Sequence, residues 1–413
     1  MKASLQNYLD STRPHLKDMA IITLAVLLFF AFFYFYQPSY VEYKHQGSDA
    51  KEYSKLYEYF KTGEAASVYN LPYSNRLLVP YIASRIPGLS AAHAFLLIHL
   101  SSALAFMLLF YYIRILLGID KSLFYLVMLW FLLHPSGIIR FSIYNPFNID
   151  PMGHVFHALL IIIFMKRRFN WLILIAPFAV AQKESFNALV LLLLIYAIYI
   201  NRSEGKKTIP LAPIFISLIL GITVQSMVHA YLFPPPPNGS YIPYRAFVRS
   251  AKFFNEPHFV MRILASLFAA FGPILIITAQ NIGRFRDSFS DALNRNFFLI
   301  YSLFFVFICI AAGTDTTRIA IYGGAFTLMF AMSIMNGLRM KYTLQVFLLS
   351  LPLLRLLIVL PRPILNDLGR ITNEDRAYGF TSMFPEMSTM ALAVSWLVYM
   401  MILYYLASLL KKR

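Results

Sequence analysis

From Met19 onward the chain is a succession of apolar runs with almost no charge, separated by short polar segments rich in lysine and arginine. A run of ~18 or more such residues is long enough to cross a ~30 Å hydrocarbon layer as a helix. That one feature confines the fold to a polytopic membrane protein. The composition agrees: 59% of residues are hydrophobic, 13% are charged and the mean hydropathy is +0.62, values foreign to a soluble domain.

The spans read as about 19–36, 91–113, 122–138, 151–165, 170–182, 185–200, 209–232, 259–281, 296–312, 319–335, 342–360 and 389–410. The fold class expected is therefore all-α. It is a bundle of about twelve spans, some of them short hairpin helices, forming a single integral membrane domain over 1–413. The first apolar stretch ends in "FFYFYQPSY", without a small-residue cleavage pattern, and reads as an uncleaved span and not a signal peptide.

Sidedness follows from the loops. With the N-terminus inside, the inner segments hold 19 of the 36 Lys and Arg residues but only 6 of the 19 acidic ones. This bias places both termini in the cytoplasm. It also explains a net charge of +17 without nucleic acid as a partner. The single cysteine, Cys309, excludes an internal disulfide and a cysteine-based metal site.

The register depends on "AQKESF" at 181–186, where Lys183 and Glu184 interrupt some thirty apolar residues. One span through this point would reverse every later loop and weaken the charge bias. Two short helices turning at Lys183 and Glu184 preserve it. Each half is shorter than the ~20 residues of a full crossing, so the two charges sit below the outer surface, where ionisable groups normally serve a site.

Three outer connections, about 37–90, 233–258 and 361–388, are long. The first contains "DAKEYSKLYEYF", with Tyr53, Leu56 or Tyr57, and Phe60 at helical spacing, an extracytoplasmic amphipathic helix expected at the membrane interface. The second opens on a stiff proline run and carries an "NGS" sequon at 238–240.

On this topology Asp49, Arg76, Arg140, Asn145, Asp150, Lys183, Glu184, Arg245, Asp315 and Arg318 gather at the outer face. Cations around a carboxylate suit an anionic lipid-phosphate substrate. Each residue also has a local reading. Asp49 can cap the amphipathic helix and Asp315 the span after it, while Arg318 can anchor an interface. Asp150, His154 and His157 fall on one face of the fourth span, at a spacing that suits either a divalent metal or interhelical hydrogen bonds. No P-loop, nucleophile elbow or zinc-protease helix is present.

The order of these features resembles that of polytopic GT-C type glycosyltransferases: a first span, a long outer loop with an Asp on an amphipathic helix, "NRLLVP" at 75–80, then short hairpin spans with a Lys-Glu turn. The resemblance covers residues 19–200. Beyond them it rests on topology and on "TDTTR" at 314–318. It implies a polyprenyl-phosphate-linked sugar donor, an extracytoplasmic glycan, lipid or protein acceptor, and Asp49 as general base. It further implies that Arg76, Lys183 and Arg245 bind the donor phosphate, with Arg140, Asn145, Asp150, Glu184, Asp315 and Arg318 in support. Glu184 is expected to orient Lys183.

The resemblance also implies transfer of a hexosyl or pentosyl group, in a bacterial inner or plasma membrane, for cell-envelope polysaccharide synthesis. Because Lys and Arg can neutralise the leaving group, no metal or other cofactor is expected to be required, although a divalent ion is compatible. The "GSD" at 47–49 lacks the adjacent acidic pair of some members. A polysaccharide polymerase or ligase shares these features, and a lipid or ion-coupled transporter is the third class.

Overall fold

A computed structural model describes residues 2–37, 49–63, 75–203, 208–228, 259–289, 291–311, 316–354, 356 and 389–412. The described residues form helices and turns without strands. The helices are α1 (Lys2–Tyr36), α2 (Asp49–Thr62), α3 (Leu78–Ser84), α4 (Ala91–Leu117), α5 (Lys121–Leu133), α6 (Arg140–Tyr144), α7 (Asp150–Met165) and α8 (Asn170–Gln182). They continue with α9 (Ser185–Ser203), α10 (Leu211–Met227), α11 (Phe259–Gln280), α12 (Ala292–Ala311), α13 (Thr316–Tyr322), α14 (Gly324–Met335), α15 (Met340–Leu349) and α16 (Thr389–Lys412). Short 3₁₀ turns follow α11 at Ile282–Arg286 and α15 at Leu351–Leu354.

Among the described residues six helices are long and apolar enough to cross a membrane, and five shorter apolar helices accompany them. Several long helices leave large apolar side chains bare on their outer flanks, including Leu24, Leu28 and Phe35 of α1 and Val398, Met401 and Tyr405 of α16. Such a continuous greasy surface is stable against lipid and not against water. The protein is an integral membrane helical bundle.

Helix ends fall where local chemistry puts them. Ser90 caps α4 by accepting from the His93 amide, and Gly118 ends it in the left-handed conformation, φ +64°. Asp120 accepts from the Ser122 and Leu123 amides to start α5. The third span, expected to reach residue 138, stops at Leu133. Pro135 forces His134 into extended backbone there, φ −64°, ψ 136°. The expected span 319–335 is broken at Gly323, where a Cβ would collide with Phe305. α11 kinks at Gly272, φ +29°, just before Pro273.

The break at 183–184 is present. Lys183 ends α8 in extended backbone, φ −160°, ψ 122°. Its carbonyl accepts from the Phe186 amide at 3.0 Å and that of Glu184 from Asn187 at 3.1 Å, so α9 begins at once. α8 packs on α10, α4 on α7 and α11 on α16. The core between them is aromatic, with Phe164 stacked on Phe297 at 3.9 Å and Tyr301 on Phe326 at 4.7 Å.

One end of the bundle collects basic segments. Asp18 accepts from Tyr111 at 2.7 Å and Tyr125 at 2.8 Å and pairs with Lys121. Arg167 meets Asp291 at 3.0 Å, and Lys411 donates to the Gln280 carbonyl at 2.8 Å. The opposite end holds α2, α3 and α6 together with the turn at Lys183 and Glu184. Here α2 differs from expectation. Its stripe of Tyr53, Leu56 and Tyr57 lies buried in a second apolar cluster with Val79, Phe95 and Phe141, and so faces protein instead of the membrane interface.

Candidate functional site

The site is assembled by three ties. First, the Leu77 amide donates to the Ala181 carbonyl at 2.7 Å. That carbonyl lies in the last turn of α8 and has no partner within its own helix, so the "NRLLVP" strip supplies one. The bond sets Arg76 beside the hairpin turn. Second, α2 buries Tyr53 and aims its hydroxyl at the same guanidinium. Third, Gln182 donates to the Ile149 carbonyl at 2.5 Å and fixes the end of α8 against the start of α7.

Two linked charge groups result. Arg76 grips Glu184 as a two-point fork, Nε to Oε2 at 2.9 Å and Nη2 to Oε1 at 2.7 Å, while its Nη1 donates to the Tyr53 hydroxyl at 2.9 Å. Lys183 donates to Asp150 Oδ1 at 2.7 Å and lies 3.9 Å from the centre of the Tyr322 ring. The second oxygen of Asp150 faces Arg318 Nε at 3.7 Å, and Arg318 in turn covers the Phe141 ring at 5.3 Å. Planar two-point pairs and fixed cations of this kind are the strong, oriented form of charge-assisted bonding.

The fork sets the protonation of its members. Burial alone would lower the pKa of Arg76, but the neighbouring Glu184 carboxylate and Tyr53 hydroxyl more than offset it and hold the guanidinium well above its usual range. Burial would raise Glu184, and Arg76 outweighs that, leaving the carboxyl below its usual value. Both stay ionised at neutral pH.

The expected residues that fall among those described can now be placed. Arg76, Glu184, Lys183, Asp150 and Arg318 come together. Glu184 does not orient Lys183: the neighbours diverge from the turn, one to Arg76 and one to Asp150. Arg140 is fully buried, donates to the Leu354 carbonyl at 2.8 Å and lies 5.3 Å from the Phe33 ring, on a flank formed by α1 and the 351–354 turn. Asn145 ends α6, its amide bonded to the Phe141 carbonyl. Asp49 is the first residue of α2. Arg245 and Asp315 lie outside the described residues.

The three residues on α7, whose spacing suits either a metal or interhelical hydrogen bonds, each meet protein neighbours. Asp150 faces two cations, and His157 Nδ1 is bonded to the Tyr322 carbonyl at 3.1 Å. His154 packs among Phe106, Phe131 and Tyr322. Among the described residues no three His, Cys, Asp or Glu side chains are grouped to bind an ion.

Four contributors escape sequence reasoning: Tyr53 as a polar partner, Asn148, Gln182 and Tyr322. Asn148 accepts from the Asp150 amide at 3.1 Å and starts α7. An Asn two residues before an Asp-Pro helix start is a readable signal for that role. Tyr322 has none, because it reaches Lys183 only by lying across Gly153, where a Cβ would collide with its phenol. Beneath the ion pairs, Ser136, Asn148, Asp150, His154, Arg318 and Tyr322 line a small pocket. It has room for roughly one water.

Compared with protein-family models, curated proteins and solved structures, the chain shows no match.

Proposed function

We propose that the protein is a membrane glycosyltransferase that moves a sugar from a polyprenyl-phosphate-linked donor to an extracytoplasmic acceptor. One observation carries the reading: three cations, Arg76, Lys183 and Arg318, converge with Glu184 and Asp150 at the end of the bundle where α2 begins with Asp49. The five side chains sum to one positive charge, which favours an anion. The basic segments at the other end favour a cytoplasmic location for that end. The cluster is then extracytoplasmic, in a chain of about twelve crossings with both termini inside.

In this reading the acceptor hydroxyl attacks the anomeric carbon. The bond from that carbon to the phosphate oxygen breaks, and its electron pair leaves with the lipid phosphate. Asp49 takes the hydroxyl proton, general-base help worth roughly 10² to 10⁴ in rate. Asp150 is unsuited to that task because both its oxygens face cations. Arg76 and Lys183, with Arg245 from the second outer loop, neutralise the leaving phosphate. Preorganised charge of this kind is usually the largest contribution to catalysis, and it leaves the reaction without need of a metal.

A transporter would place its charges at mid-depth along a pathway. The ion pairs described between the apolar helices instead lie at helix ends and turns. A polymerase or ligase would use the same cluster and differs only in acceptor. The test is to incubate purified protein with polyprenyl-phosphate hexoses and pentoses and to follow release of the lipid phosphate. No release with any donor would remove the transferase reading.

A further inference from the structure

We propose that Glu184 is a built-in competitor for phosphate on Arg76, so that the ligand enters by exchange with an internal carboxylate and does not fill a vacant cation site. This rests on reading the cluster as a phosphate site. The fork is the two-point geometry that a guanidinium edge offers to a carboxylate or a phosphate alike, at 2.9 and 2.7 Å. Glu184 therefore occupies the edge that a phosphate oxygen pair would take.

Arg76 does not depend on Glu184 for its position. Its backbone is tied through the Leu77 amide to Ala181, and its Nη1 rests on Tyr53. The guanidinium stays aimed when the carboxylate leaves. Glu184 is the more exposed partner, 26% against 14% for Arg76, and it sits in a two-residue turn, so its carboxylate can swing into water. Lys183 is held separately by Asp150 and by the Tyr322 ring and is not dragged along. The ligand chemistry is a phosphate monoester or diester, whether a lipid headgroup or free phosphate.

A fork closed in ~90% of molecules weakens apparent phosphate affinity about tenfold. The test titrates the full-length protein in detergent with inorganic phosphate and, separately, with a short-chain polyprenyl phosphate. Glu184→Gln is expected to bind about tenfold more tightly. Glu58→Gln removes the same formal charge from an exposed site on α2, and with screening by salt it is expected to change affinity by less than about twofold. A gain with the lipid alone assigns the site to a headgroup, and a gain with both assigns it to phosphate in general.

In the wild type, adding the phosphate that binds is expected to speed amide exchange at 183–187, because the turn loses its anchor. Glu184→Gln binding no more tightly than Glu58→Gln, or a turn that becomes more protected on phosphate addition, overturns the proposal. If the variant does not fold, the wild-type exchange experiment decides alone. Tighter phosphate binding without any sugar transfer would retire the transferase reading and leave the competitor standing. Sugar transfer with phosphate affinity unchanged by Glu184→Gln would do the reverse.

Discussion

Replacing Gly153 with alanine tests whether the Tyr322 ring is built into the site. The added Cβ collides with the phenol oxygen and two ring carbons of Tyr322. The ring has little freedom to retreat, with His157 at 4.5 Å, His154 at 5.5 Å and Phe305 at 6.3 Å. Overpacking of this kind costs about 1 to 3 kcal/mol. Shifting the ring from the Lys183 ammonium, now 3.9 Å from its centre, forfeits about 0.5 to 2 kcal/mol more. Against that, alanine gains about 1 kcal/mol over glycine inside a helix.

The expected net loss is about 0.5 to 4 kcal/mol. It would be read as a lower thermal unfolding midpoint in detergent, together with a lower affinity for phosphate as Lys183 loses its platform. Gly283→Ala is the control, since a Cβ there meets nothing within 4 Å, and its midpoint should stay near that of the wild type. A Gly153→Ala protein as stable as the wild type would refute the packing of Tyr322 across α7.

Further outcomes follow from the same geometry. Removing one member of a buried ion pair costs ~3 to 5 kcal/mol, and partial exposure of this fork reduces that to roughly 2 to 3. Arg76→Met and Glu184→Leu should therefore each destabilise, and the double variant should recover most of the loss in an unfolding assay. Additive losses would show that the pair does not couple. Cys309 is 1% exposed, so the wild type should resist a membrane-impermeant maleimide. Lys61→Cys should be labelled on intact cells and Lys341→Cys only after permeabilisation, and the opposite pattern would invert the topology.

The helices were legible because their causes are local. Apolar runs set the spans, and the charge bias of the loops divides 170–200 at Lys183 and Glu184, but the stop that Pro135 imposes on α5 is read past, because the apolar run continues to 138. The partners of the charged residues were not legible. Lys183 and Glu184 are neighbours in sequence, and only the positions of α7 and of the 75–77 strip decide that one meets Asp150 and the other Arg76. Arg140 reads like its fellow cations, yet the break after α5 turns it toward Phe33 and Leu354. Tyr322 depends on a glycine on another helix, a contact that no periodicity encodes. For α2 the spacing of Tyr53 and Leu56 gave the buried face correctly but not what covers it, since lipid and protein demand the same stripe.

The most direct test of the proposed chemistry compares the wild type with Asp49→Asn in release of polyprenyl phosphate from a donor that the wild type uses. Both proteins should be matched for monodispersity and unfolding midpoint. The variant is expected to keep its fold and donor affinity and to lose about 10² to 10⁴ in rate. An Asn variant that turns over like the wild type would contradict the assignment of Asp49 as the base.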